Sequence, residues 1–117
     1  MVKDFLNGQE ADDATEGVAA LARLFPGAVP VRIPVRVSKA NAVPAESAEQ
    51  TVIEFGTPEE ILFVSALPLD FDDTVHVRNA DGSLDAAARV VAMQLHNGRM
   101  VVAAKFLDNV ANWIIKA

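Results

Sequence analysis

Two long stretches of the chain have the apolar patterns of β-strands: one alternates apolar and polar residues, and the other consists of apolar, β-branched runs on either side of a turn sequence. In the first, from Val29 to Ser38, valine and isoleucine occupy every second position, and Pro30, Arg32, Pro34 and Arg36 lie between them. Because side chains on a strand point alternately to its two faces, this stretch is predicted to be a strand with one buried and one polar face. Proline cannot donate a ladder hydrogen bond, so we expect both prolines at a sheet edge or at positions that do not pair.

The second stretch, from Ala86 to Phe106, is predicted to be a long β-hairpin folded about Asn97-Gly98. Asn-Gly between apolar, β-branched runs favours a type I′ turn, because both residues tolerate positive φ. A two-residue turn fixes the register, which pairs His96 with Arg99, Leu95 with Met100, Gln94 with Val101, Met93 with Val102, Val91 with Ala104 and Arg89 with Phe106. Met93 and Val102 then lie on a buried face, and Val101 lies on a mixed face that we expect to be partly wet. Met93→Asp should unfold the domain, whereas Val101→Asp should be mild.

Three shorter apolar runs between these stretches are also predicted to be strands, at Gln50–Phe55, Glu60–Ala66 and Thr74–Arg78. Turn-forming residues separate them, at 56–59, 68–73 and 81–82. The sequence Thr57-Pro58-Glu59-Glu60 also fits a helix capping box, but the apolar run that follows is short and β-prone, which favours a turn.

A helix is predicted at each end of the chain. The first is capped by Asp12 or Asp13 and ended by Pro26-Gly27, and its apolar residues are Val18, Leu21, Ala22, Leu24 and Phe25. Its apolar side either lies on the domain's own core or is offered to a partner chain. The second is short and is capped by Asp108 or Asn109, with Trp113 on its apolar side.

Six closely spaced strands without crossover helices predict an all-β fold with minor α content. The expected architecture is a six-stranded antiparallel β-barrel with an N-terminal helix and a short C-terminal helix. The 117 residues suffice for one domain. We expect a lead-in and helix at residues 1–25 and the barrel at residues 26–117.

Composition narrows the function. The chain has no cysteine and a net charge of −6, which argues against thiolate metal sites and against DNA or RNA as partners. It carries no secretion signal and no apolar run long enough to span a bilayer, so we expect a cytoplasmic protein without membrane insertion. The two histidines, His76 and His96, have no metal-ligand spacing, and no catalytic motif is present. The expectation is a protein that is not an enzyme and needs no cofactor or metal.

Three segments resemble the PilZ domain, a bacterial six-stranded barrel known as a receptor for cyclic di-GMP. The strand VPVRIPVRV is similar to the family's first strand, EFGTPEEILFVSALPLDFDDTVHV to its second and third strands, and AAARVVAMQLHNGRMVVAAKF to its closing hairpin. The similarity runs from about Arg23 to the C-terminus and lies in the order, lengths and apolar pattern of the elements. It implies the barrel fold and a role in signalling.

The family's ligand motifs depart from their usual form in this sequence. The RxxxR positions before the first strand fall on Leu24 and Ala28, with Arg23 beside them, and the D/N-x-S-x-x-G turn positions fall on Glu54, Gly56 and Glu59. An added carboxylate is adverse for a dianionic nucleotide. The resemblance therefore implies a regulatory protein-interaction adaptor, acting on a protein partner or by self-association, that has lost or weakened cyclic di-GMP binding.

A literal RxxxR occurs on the first strand, at Arg32 and Arg36. A spacing of four places both arginines on one face, where they either clamp a phosphate or form a solvated face that discourages sheet-to-sheet pairing. The alternative function is therefore a cyclic di-GMP receptor that uses Arg23, Arg32 and Arg36, with Glu54 in the acidic turn position.

Overall fold

Six antiparallel strands close into a barrel in the computed structural model, which describes residues 17–40 and 48–108. The strands are β1 (Val29–Lys39), β2 (Glu49–Gly56), β3 (Glu60–Ser65), β4 (Thr74–Asn79), β5 (Asp85–His96) and β6 (Arg99–Phe106). Their order around the barrel is β1-β2-β3-β6-β5-β4. Residues 17–22 are helical and are called α1 below. The predicted fold class is confirmed, while the predicted lead-in, the start of the first helix and the C-terminal helix lie outside the described residues.

β1 has the predicted two faces over most of its length, but Val29, predicted on the buried face, is 40% exposed. Ile33, Val35 and Val37 are buried, and Arg32 and Arg36 are exposed. β1 pairs with β2 from residue 29 to residue 37, but its pairing with β4 begins only at residue 35. Residues 29–34 therefore have a partner strand on one side only, and both prolines of β1 lie in this edge part, as predicted.

The β5–β6 hairpin turns at Asn97 and Gly98, whose φ values of 51° and 79° are those of a type I′ turn. Close to the turn the predicted register is confirmed, with the pairs Leu95–Met100, Gln94–Val101 and Met93–Val102. Farther from the turn the predicted register is wrong by one residue: Val90 pairs with Ala104, Arg89 with Lys105 and Ala88 with Phe106.

The cause of the shift is a β-bulge at Val91. Between the pairs Val90–Ala104 and Ala92–Ala103, β5 has one extra residue and β6 has none. An extra residue on one strand exchanges the faces of everything beyond it. Val90, rather than Val91, therefore points into the barrel, where it is fully buried.

The barrel interior is filled by apolar side chains from all six strands and from the loops that close its ends. Phe63, Ile53 and Ile61 are its largest fully buried members, and Val102 and Ala104 supply the β6 side. We call this set the interior cluster. It is the core that the alternating strands were predicted to form.

A second apolar cluster lies outside the barrel, where α1 packs on β3, β5 and β6. Val18, Leu21 and Ala22 of α1 cover Leu62 and Val101, together with Ala103. We call this set the outer cluster. Of the two alternatives for the first helix, packing on the domain's own barrel is the one observed.

The structure differs from the sequence-based predictions at two residues, Val101 in the outer cluster and Leu24 just after α1. Val101 has no exposed surface, so the expectation of a partly wet face is wrong, and the reason to expect a mild Val101→Asp substitution is removed. Alternation distinguishes the two faces of a strand, but it does not reveal that a helix covers the second one. Leu24 is 71% exposed rather than on the apolar side, because the helix ends at Ala22 and a tight turn follows, with the Leu24 amide donating to the Leu21 carbonyl at 3.0 Å.

Candidate functional site

Arginine side chains from two strands meet on the outer face of β1 and β4. Arg36 of β1 is directly opposite Arg78 of β4 on one side and Gln50 of β2 on the other. Both arginines are exposed. Directly opposite residues in antiparallel strands have Cβ atoms about 5 Å apart, so the two guanidinium groups share one small area of surface.

A surface cleft of about 660 Å³ opens beside this pair. Its lining consists of residues 34–36 of β1, 50–52 of β2, and 78–80 of β4 and the turn after it. We call it the β1–β4 cleft. It forms because β4 ends at Asn79, opposite Val35, while β1 continues without a β4 partner through Pro34.

Asn79 fixes the turn that carries β4 away from β1. Its side-chain oxygen accepts the Leu84 amide at 3.0 Å, and its side-chain amide donates to the Ser83 hydroxyl at 2.8 Å. In the same turn, hydrogen bonds from the Ser83 hydroxyl and then its amide hold the pKa of Asp81 below its ordinary value. The rim of the cleft is therefore an ordered turn.

The positive charge of the cleft is only partly compensated. Among the described residues, no carboxylate lies within ion-pair distance of Arg36. The nearest carboxylate to Arg78 belongs to Asp85, with 4.0 Å between Nε and Oδ2, and Asp85 is also bound by His76. Two like charges directly opposite each other repel, so an anion placed between them would be favourable.

The structure brings together some of the predicted site residues and separates others. Arg32 is exposed on the same strand as Arg36, and Glu54 of β2 lies opposite the bulge at residues 31–32. Glu54 lines a different groove, of about 360 Å³, shared with Arg99. Arg23 follows α1, which packs on the side of the barrel away from β1, and it does not line the β1–β4 cleft.

The structure also shows the surroundings of the residues that the resemblance to the PilZ domain aligns with its ligand motifs. Leu24 is exposed, Ala28 packs at the margin of the outer cluster, and Glu59 is exposed. The turn at residues 57–60 is ordered by Thr57, whose hydroxyl oxygen accepts the Glu60 amide at 2.9 Å and whose hydroxyl donates to the Glu60 carboxylate at 2.6 Å. The first of these is one of the two contacts of a capping box, but the Thr57 amide donates to the Glu60 backbone carbonyl at 2.9 Å and the chain continues as β3, so the predicted turn is confirmed.

Other candidate groups are held in local contacts. His76 is exposed and bound to Asp85. In the turn before β4, the Asp73 carboxylate accepts the Asp70 amide at 2.8 Å and pairs with Lys39 at 3.4 Å. Within residues 17–40 and 48–108, no group of three or more His, Asp or Glu side chains is arranged to hold a metal ion.

Comparison with known proteins adds no assignment. No protein-family model matches the chain, and a search of curated proteins finds no significant match. In the described part of the chain, no helix has both the length and the apolar character needed to cross a membrane.

Sequence reasoning missed Arg78. The signal that was available is its alternation with Val77 in β4, which marks it as an outward-facing residue. Its meeting with Arg36 depends on the pairing of β1 with β4, which closes the barrel and joins residues 42 positions apart in the chain.

Proposed function

We propose that the protein is a non-catalytic regulatory domain of the PilZ-like kind that acts through contacts with a protein partner or a second copy of itself. In this proposal, cyclic di-GMP binding is lost or weakened, and the expectation of a bacterial, cytoplasmic protein is kept. The observation that carries it is the contrast between a complete six-stranded barrel and the side chains at the family's ligand positions: an exposed Leu24, a half-buried Ala28 and an exposed Glu59.

The physical reason is electrostatic. Guanidinium groups hold phosphates by planar, charge-assisted hydrogen bonds, and neither Leu24 nor Ala28 can replace them. Glu54 and Glu59 place carboxylates where a dianionic nucleotide would lie by the resemblance. Binding there would bring the ligand's negative charges close to these carboxylates.

A non-catalytic role is supported by the chemistry of the buried residues. In the described part of the chain, one imidazole nitrogen, His96 Nε2, is buried without a hydrogen-bond partner. The polar residues that are buried as a whole are Thr57 and Ser65, and both hydroxyls are hydrogen-bonded to glutamate side chains. Neither is a group that titrates near neutral pH. Active sites usually collect titratable groups in a pocket, and the interior cluster is apolar throughout.

The test is a calorimetric titration of the purified chain with cyclic di-GMP. We expect no saturating heat at tens of micromolar ligand. The matched control is Leu24→Arg with Ala28→Arg, which restores guanidinium groups at the family's positions and should recover part of the binding. A clear saturating isotherm with the unmodified chain would refute the proposal.

The second candidate is the cyclic di-GMP receptor expected to use Arg23, Arg32 and Arg36, of which Arg32 and Arg36 share a strand while Arg23 follows α1. The observation in its favour is that Arg32 and Arg36 are both exposed on the outer face of β1, with Glu54 opposite the bulge beside Arg32. A bidentate arginine contact contributes roughly 1 to 3 kcal/mol, so Arg32→Ala should weaken binding by about tenfold. Arg89→Ala, which removes an exposed arginine from β5, is the control and should leave the affinity unchanged. Equal affinities in both variants would eliminate this candidate.

A further inference from the structure

We propose that the β1–β4 cleft is the docking surface for an extended acidic segment of a partner protein. This inference rests on the proposed protein-binding function and names the surface and the chemistry of the partner. Three features of the cleft carry it: its charge, its open shape and the backbone of β1 beside it.

The charge selects an acidic partner. Arg36 and Arg78 are cross-strand neighbours, and the only described carboxylate within ion-pair distance of either is Asp85, directly opposite Arg78 on β5 and 4.0 Å from its Nε. A carboxylate placed between the two guanidinium groups would relieve their repulsion and accept hydrogen bonds from both. Gln50, on the other side of Arg36, offers a neutral amide to the same segment.

The shape favours a chain segment over a small molecule. The cleft is an open groove on the barrel surface, and Pro34, Val52 and Ala80 supply apolar parts of its lining. Small-molecule sites enclose most of the ligand surface, roughly 70 to 90% of it, which an open groove cannot do. A polypeptide can instead distribute its contacts along the groove, with acidic side chains on the arginines and apolar side chains on the proline and valine.

The backbone of β1 explains why side chains must carry the contact. Residues 29–34 have no strand partner on the β4 side, which would invite a partner strand to pair there. Pro30 and Pro34 lack the N–H donors that such pairing needs. Recognition by the arginines therefore takes the place of a continuous hydrogen-bond ladder.

The surface is also free of intramolecular cover in the described part of the chain. α1 and the residues after it pack on β3, β5 and β6, and with Phe55 at the end of β2. In the six-strand order, β1 lies across the barrel from β6. The two outer sides of the barrel are thus different: one is covered by α1, and the other presents the arginine pair.

The experiment selects ligands for the full chain from a displayed library of random peptides of about twelve residues, each spanning roughly 40 Å when extended. Selected peptides should be enriched in Asp and Glu interspersed with apolar residues, and they should bind more weakly at about 0.5 M salt than at 0.1 M. Arg36→Gln and Arg78→Gln should each weaken the best peptide by about tenfold. Arg89→Gln, an exposed arginine on β5 outside the cleft lining, is the control and should change the affinity by less than about threefold.

The outcomes separate this inference from the proposed function. Peptides that bind the Arg36→Gln, Arg78→Gln double variant as well as the unmodified chain would overturn the docking surface but leave a protein-binding function in place. A library that yields no binding peptide, or one without acidic enrichment, also overturns the docking surface. The proposed function fails separately, if cyclic di-GMP gives a saturating isotherm.

Discussion

Val101→Asp is expected to be as damaging as Val102→Asp, although the two residues point to opposite sides of the barrel wall. Val102 belongs to the interior cluster, and Val101 belongs to the outer cluster under α1. Both have no exposed surface. A substitution at either position therefore places a carboxylate in a buried and largely apolar environment.

The magnitude follows from two terms. Replacing a fully buried valine side chain gives up about 1.5 to 3 kcal/mol of apolar burial. Burying an unpaired carboxylate adds several kcal/mol unless it takes up a proton. A domain of this size has a total stability of about 5 to 15 kcal/mol, so either substitution removes most of the margin.

The assay is thermal unfolding followed by circular dichroism, with Gln94→Asp as the matched control. Gln94 is directly opposite Val101 in the hairpin and is exposed. Its substitution should change stability by no more than about 0.5 kcal/mol. Val101→Asp and Val102→Asp should show a missing or strongly lowered transition. If Val101→Asp melts like Gln94→Asp, then α1 does not hold its place on the barrel and the outer cluster is refuted.

Two further predictions concern local contacts. A Cβ atom at Gly17 would lie 2.8 Å from ring carbons of His96, so Gly17→Ala should destabilise the protein by about 1 to 3 kcal/mol and lower its melting temperature. Helix propensity alone predicts a higher melting temperature, and that result would contradict this packing. The Asp70 amide, and secondarily Lys39, hold the pKa of Asp73 below its ordinary value. The stability that this carboxylate contributes is therefore present above about pH 4 and is lost as the pH falls through the lowered pKa. Asp73→Asn should lose less stability than the unmodified chain between about pH 5 and pH 3, and parallel losses would refute the contribution.

Much of the fold could be predicted because local signals agreed with one another. The alternation in β1 located its buried residues, and the Asn97-Gly98 pair fixed both the turn and the register beside it. Turn chemistry and β-propensity together identified the segment at Thr57 as a turn despite its capping-box sequence. Each of these signals acts over a few residues, which is the range that a sequence pattern reports directly.

The errors arose where one element acts on another. No residue in the unbroken apolar run around Val91 indicates a bulge, yet the bulge shifts the register of the part of the hairpin far from the turn by one residue. The cover over Val101 comes from α1, about eighty residues earlier in the chain, so no local pattern in β6 could report it. Of the candidate site, Arg32, Arg36 and Glu54 could be placed on their strands, but the meeting of Arg36 with Arg78 required the barrel to close.

The two arginines of the RxxxR sequence have different explanations. Charged residues protect exposed strand edges against pairing with other chains, and Arg32 lies in the part of β1 that has a partner strand on one side only. Arg36 lies where β1 is paired with β2 on one side and β4 on the other, so it has no edge to protect. Placing it opposite Arg78 is electrostatically unfavourable in the isolated domain. Edge protection accounts for Arg32 but not for Arg36 and Arg78. Asp85, directly opposite Arg78 on β5, compensates at most one of these two charges, and the proposed acidic segment would supply the second.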